Sequence, residues 1–420
     1  MKLLVCSIRV CLSLLFALLT FQSPGQAKST LLAGAATVDI TPSVPVPMSG
    51  YANRSEPSKG IHDKIFARAF VFDDGMTKAC IVQADLIGFS FEFADDIRSD
   101  IEKQTAIPKA NIMVVAVHNH SAPTTGAYGE SSSNDLATYL TELRKKLVTV
   151  AVEAFKQRAP VSIGFGKGTC SMNINRRARH AEGGIWLGRN PDGICDHDVT
   201  VTRIDDVNAN VRGLFVNWPC HATVGGQENY LISGDWPGST ARYVSKHFKD
   251  VPIAITAGAS GDINPIYGPG NDFRETDAIG LVLGEEVVKI ASNITTQKTG
   301  VVKTMQREIE VPGKERSASR MPGEKIIPGK PARLRFSVVK VGSVVFAGIS
   351  GELMTSIGMN IKKESPFTNT VILTHCNGSS GYLCTDEAYG EGGYEPMVSR
   401  TMPGTEKIIV DTFAEMLNGL

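Results

Sequence analysis

The chain has 420 residues, 42% of them hydrophobic and 20% charged, with a formal net charge of zero. That is room for one large or two ordinary globular domains. The balanced charge leaves no overall footprint for a nucleic acid or an anionic surface, and Arg176-Arg177 is only a local pair.

The first segment reads as a secretory leader. Lys2 and Arg9 supply positive charge, Val10 to Phe21 is an apolar core, and small residues precede a cut after Ala27. The alternative is a membrane anchor, against which the apolar stretch is short for a span. No later segment is long and apolar enough to cross a membrane. Residues 28–420 are expected to form a single exported domain, periplasmic or extracellular. Cys6 and Cys11 leave with the leader. Cys80, Cys170, Cys195, Cys220, Cys376 and Cys384 remain. Cys80 lies in an apolar run and reads as a buried thiol. Cys170 with Cys195, and Cys376 with Cys384, are nearest in sequence, which does not define a pairing.

Residues 32–50, rich in Pro and Gly, are predicted to wrap the surface. Ala69 to Asp73 and Ala79 to Leu86 form strands joined at Asp74-Gly75, a hairpin signal. Ile112 to Val117 is a buried strand. A helix is predicted from about Asn134 to Gln157, with Leu136, Leu140, Leu143 and Leu147 on one face and Asn134 or Asp135 as its cap. Leu214 to Trp218 and Ile253 to Thr256 are strands, and a helix follows from about Asp277 to Ala291. Val301 to Val311 and Leu334 to Val341 flank a Pro-, Gly- and Lys-rich stretch, read as a two-strand excursion with a mobile loop. Strands Val344 to Ile349 and Val371 to Thr374 and a helix from Lys407 to Leu417 complete the chain. The alternation predicts an α/β fold: a layered α/β/α domain with a central mixed sheet and a β excursion near 301–341.

Chemistry-bearing residues gather just after the apolar strands. His118 and His120 leave the Ile112 run at i, i+2, a spacing that points two imidazoles to one side of an extended chain. Neutral imidazole is a common zinc ligand. His221 follows the Leu214 strand in Asn217-Trp218-Pro219-Cys220-His221. Glu352 follows Val344 to Ile349 and opens a predicted helix, where a carboxylate can serve the dipole alone or a metal. Gly381-Tyr382 begins a late loop with Tyr389 and Tyr394. Arg176, in Asn173-Ile174-Asn175-Arg176, can hold a carboxylate or carbonyl oxygen. Gly258 to Pro265 can aim backbone amides or the Asn264 side chain at an oxyanion. Each piece alone also fits an ordinary structural role. Their shared position at strand ends strengthens the functional reading.

Taken in order, the segments resemble the catalytic domain of the neutral/alkaline non-lysosomal ceramidase family, from about Ala36 to Glu415. Thr37-Val38-Asp39-Ile40-Thr41-Pro42, Met48-Ser49-Gly50-Tyr51 and Gly60-Ile61-His62-Asp63 are similar to the family's opening. His118-Asn119-His120-Ser121-Ala122-Pro123 resembles its His-Thr-His-Ser-Gly-Pro, and Asn173 to Arg176 matches its Asn-Ile-Asn-Arg. The resemblance implies a zinc amidase acting on the N-acyl bond of ceramide, with one zinc per chain held by His118, His221, Glu352 and Tyr382. It implies that His120 transfers protons and that Arg176 faces the substrate, with Tyr389 and Tyr394 in the pocket. A lipid-like or other N-acyl substrate and contact with a membrane surface follow as expectations; oligomeric state is open.

Two departures qualify the substrate. The family's Gly-Asp-Val-Ser-Pro-Asn carries a serine proposed as catalytic, and Asn264 stands in its place. The chain also stops where full-length ceramidases continue into a C-terminal β-sandwich. Hydrolysis of another N-acyl compound, an ester or a lactone is therefore an alternative, as is a non-catalytic secreted binding protein. Asn293-Ile294-Thr295 and Asn377-Gly378-Ser379 are glycosylation sequons.

Overall fold

A computed structural model describes residues 30–126, 133–249, 251–298 and 300–420. The expected leader and its cut lie outside them. Among the described residues no helix is long and apolar enough to cross a membrane.

Side-chain alternation along the strands serves two apolar layers at once. In Phe66–Asp73, Ala69 and Val71 face one way and Phe70 and Phe72 the other. Ile112–Ala116 divides likewise, with Val114 opposite to Met113 and Val115. These strands belong to an eight-stranded sheet. Its order is Ile253–Ala257, Val211–Trp218, Asp198–Asp206, Ala159–Thr169, Leu32–Asp39, Phe66–Asp73, Lys78–Ala84, Ile112–Ala116. The middle is antiparallel, and the outermost pair on each side is parallel. Helices Phe91–Thr105 and Asn134–Lys156 cover one end of its outer face, and Asp235–His247 and Phe273–Asn293 the other.

The inner face packs on a second sheet of Val302–Lys314, Pro328–Val341, Val344–Ile349 and Asn369–Leu373. Phe215 and Phe346 meet across the seam with ring centroids 4.9 Å apart. Val345, Ala347 and Ile349 turn outward under helices Thr355–Glu364 and Thr405–Asn418. The expected α/β layering holds, and the central layer is doubled.

Several local expectations are corrected. Leu32–Asp39 does not wrap the surface but lies in the middle of the large sheet. Its small residues admit helix Asn134–Lys156 so closely that a Cβ on Gly34 would lie 2.1 Å from the Ala154 carbonyl oxygen. The long helix is capped by Ser133, whose hydroxyl accepts from the Leu136 amide, and not by Asn134 or Asp135. The two strands expected near 301–341 are present as a long hairpin, Val302–Lys314 with Pro328–Val341, which forms half of the second sheet. Asn377 is fully buried, its side chain bonded to Val114, Ile112 and Ser337, so its sequon is not a sugar site.

Candidate metal centre

The strand Ile112–Ala116 ends where the chain turns sharply. His118 adopts a left-handed backbone with φ of 63°, a region that side chains other than glycine rarely occupy. The two histidines therefore do not converge through the pleat of an extended strand, as their spacing suggested. They converge because the turn at His118 swings its ring back against His120, with the Nε2 atoms 3.2 Å apart. The turn is fixed by backbone bonds: the Asn119 amide donates to Leu86 and the His120 amide to Ala222.

His118 Nδ1 lies 2.9 Å from the carbonyl of Ile87. A carbonyl only accepts, so this nitrogen holds a proton, which leaves Nε2, the atom facing inward, as the one that can bind a metal. His221 follows the same rule, with Nδ1 2.7 Å from the carbonyl of Ser260 and 3.0 Å from that of Ile263. Burial, reinforced by the Arg176 guanidinium, lowers its pKa to about 4 and keeps the ring neutral.

Glu352 was expected in a first helical turn. It lies instead in a two-residue strand, Glu352–Leu353, paired in parallel with Tyr382–Leu383, so that Glu352 and Tyr382 are direct partners. This short ladder sets two of the predicted ligands side by side. Glu352 Oε2 lies 3.3 Å from His118 Nε2 and 3.4 Å from His221 Nε2, yet makes no well-formed hydrogen bond.

Three lone-pair-bearing atoms thus converge in a buried space. Without a cation between them they repel. A tetrahedron with arms of about 2.0–2.1 Å has edges of about 3.3 Å, which matches these separations. The donor set therefore fits a divalent metal of the zinc type. Ligand atoms of His118, His120 and His221, and of His118, Glu352 and His375, lie within 4.8 Å of one another.

His375 was not foreseen. Its ring stacks on His118 at 3.9 Å and 10°. It stands two residues beyond the strand Asn369–Leu373, the same signal that pointed to His118 and His221, and that signal could have found it.

Arg176 closes the other side. It sits on strand Asn173–Arg179, paired with Ile263–Pro265, which brings Asn264 alongside. Arg176 donates from Nη1 to His221 Nε2 at 3.2 Å and to Asn264 Oδ1 at 3.3 Å, and from Nη2 to Tyr382 Oη at 3.0 Å. Its Nε donates to Glu395 Oε1 at 2.7 Å, while Arg177 Nη1 donates to Oε2 at 2.8 Å. Glu395 is 0% exposed and gave no sequence signal. Burial opposes the Arg176 charge, but Tyr382 and Glu395 raise its pKa overall.

His120, 8% exposed, stands at the edge of the cluster. Gly50 has φ of +99° and lies against its ring, where a Cβ would come 2.4 Å from Nδ1. The Met48-Ser49-Gly50-Tyr51 segment is thus the back wall of this imidazole, with Tyr51 edge-on at 5.2 Å.

The structure gathers His118, His120, His221, Glu352, Tyr382, Arg176 and Asn264. Tyr394 packs edge-on to Tyr382 at 5.8 Å. Tyr389 is set aside, its hydroxyl bonded to Thr401 and Ser399. The amides of Gly261 and Ile263 are already engaged, with Leu353 and Ser260 carbonyls, so they are not available to an oxyanion. A separate cleft of about 490 Å³ lies behind Arg177, lined by Asn175, Asp262, Met354 and Glu391 among others, and holds none of the predicted ligands. All six described cysteines are free thiols, and Cys80 is buried.

A sequence model described as neutral/alkaline non-lysosomal ceramidase, N-terminal, matches residues 31–265. Neutral ceramidase B of Dictyostelium discoideum is 30% identical over 325 residues, covering 64% of this chain and 44% of that protein. Neutral ceramidase of Pseudomonas aeruginosa strain PAO1 is 24% identical over 305 residues, covering 66% and 44%. The chain thus spans less than half the length of these relatives. A crystal structure of neutral ceramidase from Pseudomonas aeruginosa superposes with a TM-score of 0.78 at 18% identity, over 92% of this chain and 74% of that one, a likeness of fold.

Proposed function

The chain belongs to the neutral/alkaline non-lysosomal ceramidase family, and from that premise we propose that it is an exported, zinc-dependent amidohydrolase acting on a ceramide-like N-acyl lipid. The reading rests on one observation above the others: His118 Nε2, His221 Nε2 and Glu352 Oε2 meet at 3.3 and 3.4 Å with both Nδ1 atoms tied to backbone carbonyls.

His118, His221, Glu352 and Tyr382 would hold the metal. Bound zinc polarises a carbonyl and lowers the pKa of a water towards about 7. The remaining work falls to the chain. His120 is well placed to move the proton. Burial, then its His118 and His221 neighbours, lower its pKa well below the ordinary histidine value, so it is neutral and can accept. Its Nδ1 has no hydrogen-bond partner, and its Nε2 faces the cluster. The water oxygen bonds to the acyl carbon, the C–N bond breaks, and the proton taken by His120 passes to the leaving amine. Arg176, held charged and planar by Glu395, orients the substrate oxygen.

Asn264 favours a second substrate class. A carboxamide is no hydroxyl nucleophile, so attack falls to water, and an ester or lactone would react at the same centre. The test is elemental analysis of the purified mature chain beside His118→Ala, followed by a panel of ceramide, short N-acyl amine, ester and lactone. About one zinc per chain, lost in the variant, and ceramide turnover support the proposal. No metal in either, even with zinc supplied, would leave a binding protein as the better reading.

A further inference from the structure

The strand that carries Arg176 runs outward into a hairpin, Asn173–Arg179 with Ile185–Asn190. Its far end exposes Trp186 at 44% and Leu187 at 47%. Beside it lies the 315–327 loop, with Met321 and Ile327 also exposed. The two are in contact. Arg320 lies over the Trp186 ring at 5.5 Å, and the Gly393 amide, next to Tyr394, donates to the Arg320 carbonyl at 2.7 Å. The apolar patch therefore adjoins the wall of the metal centre.

The charge around it is not that of the whole chain. Residues 314–330 hold five cationic and two anionic side chains within a chain of zero net charge. Arg316, Lys325 and Lys330 are exposed. Among the described residues neither these three nor Arg320 has a carboxylate partner. A loop of cations without carboxylate partners, in contact with a hairpin tip of exposed Trp and aliphatic side chains, has the chemistry that suits a lipid–water interface with anionic headgroups.

We propose that the Trp186 hairpin tip and the 315–327 loop form a docking surface for anionic lipid bilayers. This rests on the lipid substrate of the preceding reading, since it would bring a membrane-borne substrate to the centre beside it.

The test is co-flotation of the full mature chain with vesicles of phosphatidylglycerol and phosphatidylcholine, against phosphatidylcholine alone. Trp218 and Trp236 are fully buried, so a blue shift of emission on binding reports Trp186. Binding is expected on the anionic vesicles and weakened by salt. The Lys325→Gln/Lys330→Gln variant is expected to bind roughly thirty-fold more weakly. Trp186→Ser/Leu187→Ser is expected to lose binding and the blue shift. Both should turn over a short, monomeric substrate as the parent does, a readout that fails alone if the hydrolase reading fails. Equal binding to neutral vesicles, undiminished binding by either variant, or a dimer that the Trp186→Ser/Leu187→Ser change dissociates without any vesicle binding would overturn the proposal.

Discussion

Replacing Glu395 by Gln isolates the buried charge that holds Arg176. The carboxylate is 0% exposed and accepts from Arg176 Nε at 2.7 Å and Arg177 Nη1 at 2.8 Å. Gln keeps the volume but supplies one acceptor oxygen in place of two. Its NH2 then faces a guanidinium donor, and two nearly buried cations lose their common counter-charge. Breaking such a pair costs about 3–5 kcal/mol. Burial alone would raise the Glu395 pKa, but Arg176 and Arg177 leave it lowered. A lowered carboxylate contributes stability that is present above its unfolded value of about 4.3 and is lost as pH falls through the folded one. The gap between parent and variant should therefore be full at pH 7 and shrink below about pH 4. Urea midpoints, followed by the emission of buried Trp218 and Trp236 in the presence of chelator, read both quantities. A cost below about 1 kcal/mol at pH 7, or a gap that does not change with pH, would refute the view that Glu395 acts as the anionic anchor.

Gly50→Ala should cut activity at least tenfold with metal content unchanged, because the added Cβ meets His120 Nδ1 at 2.4 Å; kinetics beside elemental analysis separate the two. Gly34→Val should destabilise by about 1–3 kcal/mol or more by forcing helix Asn134–Lys156 off the sheet, visible as a lower urea midpoint. Chelator should lower the melting temperature and zinc restore it, the bound ion adding about 4 kcal/mol of stability at a thousandfold excess over Kd; an unchanged melting curve would deny the metal. In the metal-free chain, His221 is lowered from 6.5 to about 4, first by burial and then by Arg176. The unfolded state binds the extra proton in that window, so stability should fall as pH drops through it, and a His221→Asn variant should lose that slope.

Much of the candidate site was legible because its residues obey one rule, a donor just past the end of a buried strand. His118, His221 and Glu352 were found that way. What was illegible depends on contacts distant in sequence. Glu395 lies in a short helix with no periodicity, and only the fold shows two arginines closing on it. Strand Leu32–Asp39 was missed because residues 32–50 read as a Pro- and Gly-rich surface segment, and strand Ala159–Thr169, with three glycines, was not assigned. In the structure Gly164 lies against Ile294, and Gly34 against Ala154, as places where a helix comes close. The turn at His118 was invisible too, since an i, i+2 pair looks the same whether a pleat or a left-handed residue brings it together.

The doubled sheet also sets when the centre can exist. Its candidate donors lie just past strand ends of both sheets and on the short Glu352–Tyr382 ladder, beginning at His118 and finishing with His375 and Tyr382. A chain emerging residue by residue has His118, His120 and His221 in hand long before Glu352 arrives, and the Arg176 guanidinium waits longer still for Glu395. Contacts so far apart in sequence form late and slowly. Metal loading, on the proposed reading, would then mark the finished protein: a nascent or clipped chain, however well its first sheet has formed, has no complete cage in which to trap an ion.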